Sequence, residues 1–189
     1  MKKIMIICLT FALTLTLTML TACTQNQSGS QQDGQTAQEE QTQQPDLQEI
    51  VQAVKDAYGD NYLPSMQMDE QMMTDVYGVN MDNVEEFVAE GPMISAHVDT
   101  FIAVKAKEGK GEQVQQELQA YLDYVQENAL QYPMNTAKVQ AAQVVRHGDY
   151  VFYVLLGGYD ERTDVTEEES VTFAKEQVQI GLDAIASFF

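Results

Sequence analysis

Residues 97–107, HVDTFIAVKAK, decide the fold. Val98, Thr100, Ile102, Val104 and Ala106 fall on one side of an extended chain. His97, Asp99, Phe101, Ala103, Lys105 and Lys107 fall on the other, giving the period-two signature of a β-strand. The pattern predicts one dry face and one largely polar face. A turn at residues 108–111 follows. Val114, Leu118, Tyr121, Leu122, Val125 and Ala129 then recur at helical spacing, and Pro133 prevents that helix from continuing.

Downstream, KVQAAQVVR (138–146) and DYVFYVLLG (149–157) have the composition of a hairpin joined at His147-Gly148. Gly tolerates positive φ in such a loop and His does so better than most residues, so a backbone role suffices for His147. This loop places Arg146 opposite Asp149, Val145 opposite Tyr150 and Val144 opposite Val151. The second strand is apolar on both faces, which puts the hairpin centrally in the sheet. The last helix opens at Thr166-Glu167-Glu168-Glu169, where Thr166 and Glu169 have capping-box spacing and the glutamates favour the positive end of the helix dipole. Its buried stripe is Val171, Ala174, Val178, Leu182 and Ile185, with Gly181 placed for close approach to the sheet.

Upstream, Leu47, Ile50, Val51, Val54 and Tyr58 mark a first helix between Pro45-Asp46 and Gly59. A short second helix is expected at 69–77, burying Met72, Met73 and Val76, with Met66 and Met68 as adaptable core filler just before it. Residues 82–90, DNVEEFVAE, suit either a helix or a strand and are taken as a strand. The fold class is therefore α+β: an antiparallel sheet of about four strands, two long helices on one face, and two short N-terminal helices before them. Residues 45–189 form a single domain, with no repeat and no internal tether to divide them.

The chain carries 29 Asp and Glu against 10 Lys and Arg, for a net charge of −19. That argues against nucleic acid, which needs a basic face, and against attraction to anionic lipid headgroups. The N-terminus has a different character. Lys2 and Lys3 precede a long apolar run from Ile4 to Leu20, which ends in Leu20-Thr21-Ala22-Cys23. Residues 1–22 have the layout of an export signal, diluted by threonines and lacking a basic stop-transfer cluster. Loss of Lys2 and Lys3 with that segment would take the charge from −19 to −21. Residues 24–44 hold nine glutamines and no apolar period. They are expected to act as a disordered tether spanning roughly 25 Å on average and ~70 Å fully stretched.

Leu20-Thr21-Ala22-Cys23 resembles the lipobox of bacterial lipoproteins. The resemblance implies removal of residues 1–22 and a diacylglyceryl group on Cys23, which makes 23–44 a lipidated cysteine plus tether. It also implies a site on the extracytoplasmic face of the cell membrane. Two acyl chains hold a protein stably where one does so only marginally. Cys8 leaves with the signal and lipid occupies Cys23, so no disulfide or thiol nucleophile is expected. From Tyr77 onward a second resemblance appears, carried by Tyr77-Gly78-Val79, by VEEFVAEGPMISAHVDTFIAVKAKEGK, by the helix running to Gln131-Tyr132-Pro133, and by HGDYVFYV. These stretches are similar to a family of Gram-positive bacterial lipoproteins known only as a domain of unknown function. The similarity implies an anchored extracytoplasmic α+β protein and no particular activity.

No nucleophile elbow, phosphate loop, dinucleotide fingerprint or zinc-protease motif occurs. Asp160, Glu161, Asp164 and Glu167 lack EF-hand spacing. No cofactor and no metal is expected. His97, Asp99 and Lys105 share one face of the 97–107 strand, which makes that face the candidate surface for an envelope protein or a small ligand. The function expected is non-catalytic binding at the cell envelope. An envelope-acting enzyme or accessory subunit and a cation-binding lipoprotein are the alternatives.

Overall fold

The computed structural model describes residues 44–189; the expectations for the signal segment, Leu20, Thr21, Ala22, Cys23 and the tether fall on residues 1–43 and lie outside it. The described residues form one compact unit. Its centre is a wholly antiparallel sheet of five strands in the order β1-β2-β3-β5-β4. The strands are β1 (Met66–Gln67), β2 (Val84–Gly91), β3 (Thr100–Ala106), β4 (Gln143–His147) and β5 (Tyr150–Leu155). The helices are α1 (Leu47–Tyr58), α2 (Glu70–Asp75), α3 (Gly111–Asn128), α4 (Pro133–Ala141) and α5 (Glu167–Ala186). The α+β class and a sheet close to the expected size are thus observed, as is the strand in the ambiguous 82–90 stretch.

The two long helices do not share a face. Val114, Leu118 and Leu122 of α3 pack with Ile102, Val104, Val151 and Tyr153 on one side of the sheet. On the other side, Leu47, Ile50 and Val54 of α1 and Ala174, Val178 and Ile185 of α5 pack with Phe101, Ala103, Phe152 and Val154. The cause is β3. Its middle residues Phe101 and Ala103, which alternation assigned to a largely polar face, are fully buried, so both sides of the sheet need apolar cover. The polar letters of 97–107 sit at the ends of the segment: His97 and Asp99 precede the strand, and Lys105 lies near its far end.

Residues 133–141 also differ from expectation. They form helix α4, where a strand was anticipated from residue 138. Pro133 stops α3 and also starts α4, because its fixed φ and missing N–H suit the first turn of a helix. The hairpin pairing also differs, by two residues. His147 pairs with Tyr150, Arg146 with Val151 and Val145 with Phe152, so the two-residue loop is Gly148-Asp149. Gly148 has φ +60, and Asp149 accepts backbone N–H bonds from Gly109 (3.0 Å) and Gly111 (3.1 Å). Those bonds tie the hairpin to the start of α3. Because the pairing moves by an even number, each β4 side chain keeps the face expected for it. Strand β5 lies inside the sheet as expected, while β4 is an edge.

Two local expectations hold closely. Asp46 caps α1 by accepting from the Gln48 and Glu49 N–H groups, and Thr166 and Glu169 form the full capping box of α5. Gly181 lets α5 approach α1: its N–H donates to Tyr58 Oη at 3.1 Å, and an added Cβ would stand 2.9 Å from that oxygen. Helix α2 is shorter than expected. Asp69 caps it and Met73 is buried, but Val76 lies beyond its end and is 49% exposed.

Candidate functional site

Antiparallel pairing brings the start of β3 and the end of β5 together, Thr100 opposite Leu155 and Ile102 opposite Tyr153. Above this corner, on the α3 side, the segment after α2, the β2–β3 loop and the end of α3 enclose a cleft of about 560 Å³. Three tyrosines form its inner wall. The Tyr77 and Tyr121 ring centroids are 4.5 Å apart, Tyr121 and Tyr153 6.0 Å, and Tyr77 and Tyr153 6.3 Å, all tilted or edge-on as aromatic quadrupoles prefer. Burial raises all three phenols above their ordinary pKa, with Tyr121 raising Tyr77 further. They are therefore neutral hydroxyls at physiological pH. Asp75, His97, Thr100 and Gln131 add polar groups to walls that also carry apolar side chains such as Val98, Val125 and Leu155. The volume and the mixture of aromatic, apolar and sparse polar groups are those of a site for a small organic group.

Behind the β2–β3 loop lies a polar network. Lys138 on α4 donates to Asp99 Oδ1 at 2.6 Å and to the Gly157 carbonyl at 2.6 Å, and its Nζ stands 4.1 Å from the Tyr159 ring centroid. The three sites of an ammonium group are thus all occupied. Tyr159 Oη donates to Asn135 Oδ1 (3.2 Å) and lies 3.1 Å from His97 Nδ1, while Asn135 Nδ2 donates to the Ala96 carbonyl (2.9 Å). Asp99 is fully buried, Lys138 is 5% exposed, and Asp99 Oδ2 has no hydrogen-bond partner among the described residues. Burial pushes the Asp99 carboxyl up and the Lys138 ammonium down, each drawn back by the charge of the other. Burial and the Asp99 carboxylate together push Tyr159 up to about 12. The network fastens the β2–β3 loop, α4 and the chain after β5 to one another.

The three residues singled out on the strand are dispersed. His97 lines the cleft. Asp99 is locked into the ion pair with Lys138 and faces no solvent. Lys105 lies six residues along from Asp99, roughly 20 Å away at strand rise, and pairs with Glu85 at 2.7 Å. The expected open face bearing all three is absent because helices cover both sides of the sheet. Tyr77, Tyr121, Tyr153 and Lys138 were not singled out. Tyr121 was visible only as a core position of its helix, and Lys138 was hidden by the reading of 138–146 as a strand. The sole sequence signal for the cleft is the recurrence of tyrosine in three otherwise apolar segments, which says nothing about their convergence.

The family described as Domain of unknown function (DUF4358) matches residues 57–156, just over half of the 189-residue chain. The chain belongs to this family. No curated protein and no solved structure matches it. All the residues that line the cleft fall within the DUF4358 match, as do Asp99, Asn135 and Lys138. Tyr159 and α5 lie beyond it. The DUF4358 description names no catalytic activity, and the cleft and ion pair belong to the part of the chain the family defines.

Proposed function

We propose that this protein is a lipid-anchored, non-catalytic binding domain on the extracytoplasmic face of the cell membrane, with the tyrosine-walled cleft as its binding site. The anchoring half of this reading is supported by the Leu20-Thr21-Ala22-Cys23 sequence after a charged and then apolar segment. Cys23 carries the diacylglyceryl group, and the glutamine-rich residues up to 44 hold the domain within a short distance of the bilayer. One observation carries the binding half: a cleft of about 560 Å³ with neutral tyrosine hydroxyls on its inner wall. An envelope-acting enzyme has less support. The strongest titratable cluster, Asp99 with Lys138 and Tyr159, is sealed, and the Lys138 ammonium has no free position for a substrate. A cation-binding role has less support still, because Asp160, the most enclosed carboxylate of the 160–167 loop, is held by a two-pronged contact from Arg162.

Two experiments test the halves separately. Replacing Cys23 by Ala should abolish metabolic labelling with palmitate and release the protein from membranes; continued retention with no label would remove the anchor. For the cleft, titration of the Thr42–Phe189 unit with the neutral apolar dye Nile red should give saturable binding. Ala129, half-buried in the cleft wall, offers the control: Ala129→Trp fills the opening and should abolish the dye signal. Dye binding that survives this change would place the site elsewhere.

A further inference from the structure

Resting on the cleft as the binding site, we infer that its partner is a protein segment presenting a large apolar anchor side chain flanked by Lys or Arg. The first ground is the rim. Val76, Met93, Ile94, Tyr124, Leu130 and Tyr132 are all exposed, Leu130 completely so. Val76 and Tyr124 line the cleft. Met93 and Ile94 follow Pro92 of its wall, and Leu130 stands between Ala129 and Gln131 of its wall. Two of these six thus line the cleft, and the other four, Tyr132 included, lie within two residues of its wall in the chain. Exposed apolar side chains on and beside the walls of a cleft fit a protein contact in which an anchor side chain fills the pocket and its neighbours exclude water.

The second ground is charge, which chooses among the possible occupants. No Lys or Arg lines the cleft. Asp75 lines the cleft itself, and exposed Asp123 and Glu127 neighbour Tyr124 on α3. Lys138, next to Val139 of the wall in the chain, is buried and neutralised by Asp99. An anionic membrane surface is disfavoured, because interfacial binding pairs apolar side chains with Lys and Arg rather than with carboxylates. A second copy of this chain, at net −19, would bring the same acidic rim against itself. A basic-flanked apolar segment satisfies both the cleft and its surroundings.

The chain contains no tryptophan, so a Trp-bearing peptide reports its own environment without background. The Thr42–Phe189 unit, whose two apolar cores are filled by its own residues, serves as the receptor. A short amphipathic peptide with one Trp anchor flanked by lysines should show a saturable blue shift of emission. Its twin with flanking glutamates should bind at least about tenfold more weakly, a difference that shrinks in high salt as the charges are screened. Trp→Ala in the peptide, followed by displacement of Nile red, should lower affinity about 30-fold. Leu130→Gln, a neutral change at a fully exposed position where folding is not at stake, should weaken the lysine peptide while preserving the far-UV spectrum. Equal affinity for both peptides, stronger binding to phosphatidylglycerol vesicles than to neutral vesicles, or dimerisation at micromolar concentration would each overturn the inference. Nile red that binds and is blocked by Ala129→Trp while neither peptide binds would overturn the partner class alone. Failure of dye and peptides together would overturn the binding site as well.

Discussion

Lys138→Met should be the most costly single substitution in the polar network. In the parent, Asp99 Oδ1 is held by Lys138 at 2.6 Å and Oδ2 is buried without a partner among the described residues. Removing the ammonium leaves both carboxylate oxygens buried and unpaired, and also strips the Gly157 carbonyl of its donor. Breaking one side of a buried pair costs about 3–5 kcal/mol. For a domain of this size that lowers Tm by roughly 10 °C. The pH dependence gives a second, independent reading. Burial already holds the folded Asp99 pKa above its ordinary value, and without Lys138 nothing draws it back. A folded pKa above the unfolded one means that the folded state binds the proton where the unfolded state has lost it. Stability of the variant should therefore be greatest below the unfolded value of about 3.9 and fall as pH rises towards the folded pKa, by up to about 1.4 kcal/mol per unit. Urea denaturation at a series of pH values measures both effects. The double variant Asp99→Leu/Lys138→Met removes both charges and should recover to within about 2 kcal/mol of the parent, leaving mainly the Gly157 carbonyl unmet. A loss under about 1 kcal/mol for Lys138→Met with no pH dependence, or a double variant less stable than the single one, would refute the account of a sealed pair.

Three further outcomes follow from contacts elsewhere. Gly181→Val should destabilise by about 1–3 kcal/mol, because its Cβ would stand 2.9 Å from Tyr58 Oη; Tyr58→Phe, which loses the hydroxyl's bond to the Gln177 carbonyl at 2.8 Å, should cost about 1 kcal/mol. A neutral Gly181→Val in thermal melts would mean that α1 and α5 do not meet there. Asp149→Ala removes the acceptor of two N–H bonds at the start of α3 and should cost about 1.5–3 kcal/mol in urea unfolding, against no change if the Gly148-Asp149 turn is set by glycine alone. Asn135→Leu frees the Ala96 carbonyl and the Tyr159 hydroxyl, so amide exchange in residues 92–98 should quicken; unchanged exchange there would show that the network does not fasten the cleft-side loop.

The family match bounds what the site can be compared with. DUF4358 covers the cleft and the ion pair but not α5, so the domain that folds is larger than the segment the family defines. Helix α5 supplies Ala174, Val178 and Ile185 to the core opposite the cleft. The face that bears the cleft and the face that α5 covers are thus on opposite sides of one sheet, joined through β3 and β5.

The sequence by itself determined the local structure: helices, caps and the central strand. Leu47 to Tyr58, the α3 stripe and the Thr166–Glu169 box each depend on neighbours within a few residues, and spacing alone reveals them. It went astray where a local signal had two uses. Pro133 ends one helix and begins another, and Gly148 serves a loop in either of two registers. Only the tertiary structure decided that α3 and α5 take opposite faces, because a strand apolar on both sides specifies that it must be covered but not by what. It also decided the site. Tyr77, Tyr121 and Tyr153 are 32 or more positions apart and meet only because the sheet and α3 bring them within 6.3 Å. Asp99 finds Lys138, 39 residues away, only once α4 is a helix. Side-chain periodicity carries the direction in which each residue points within its own element; which elements then face one another is fixed by packing across the whole chain.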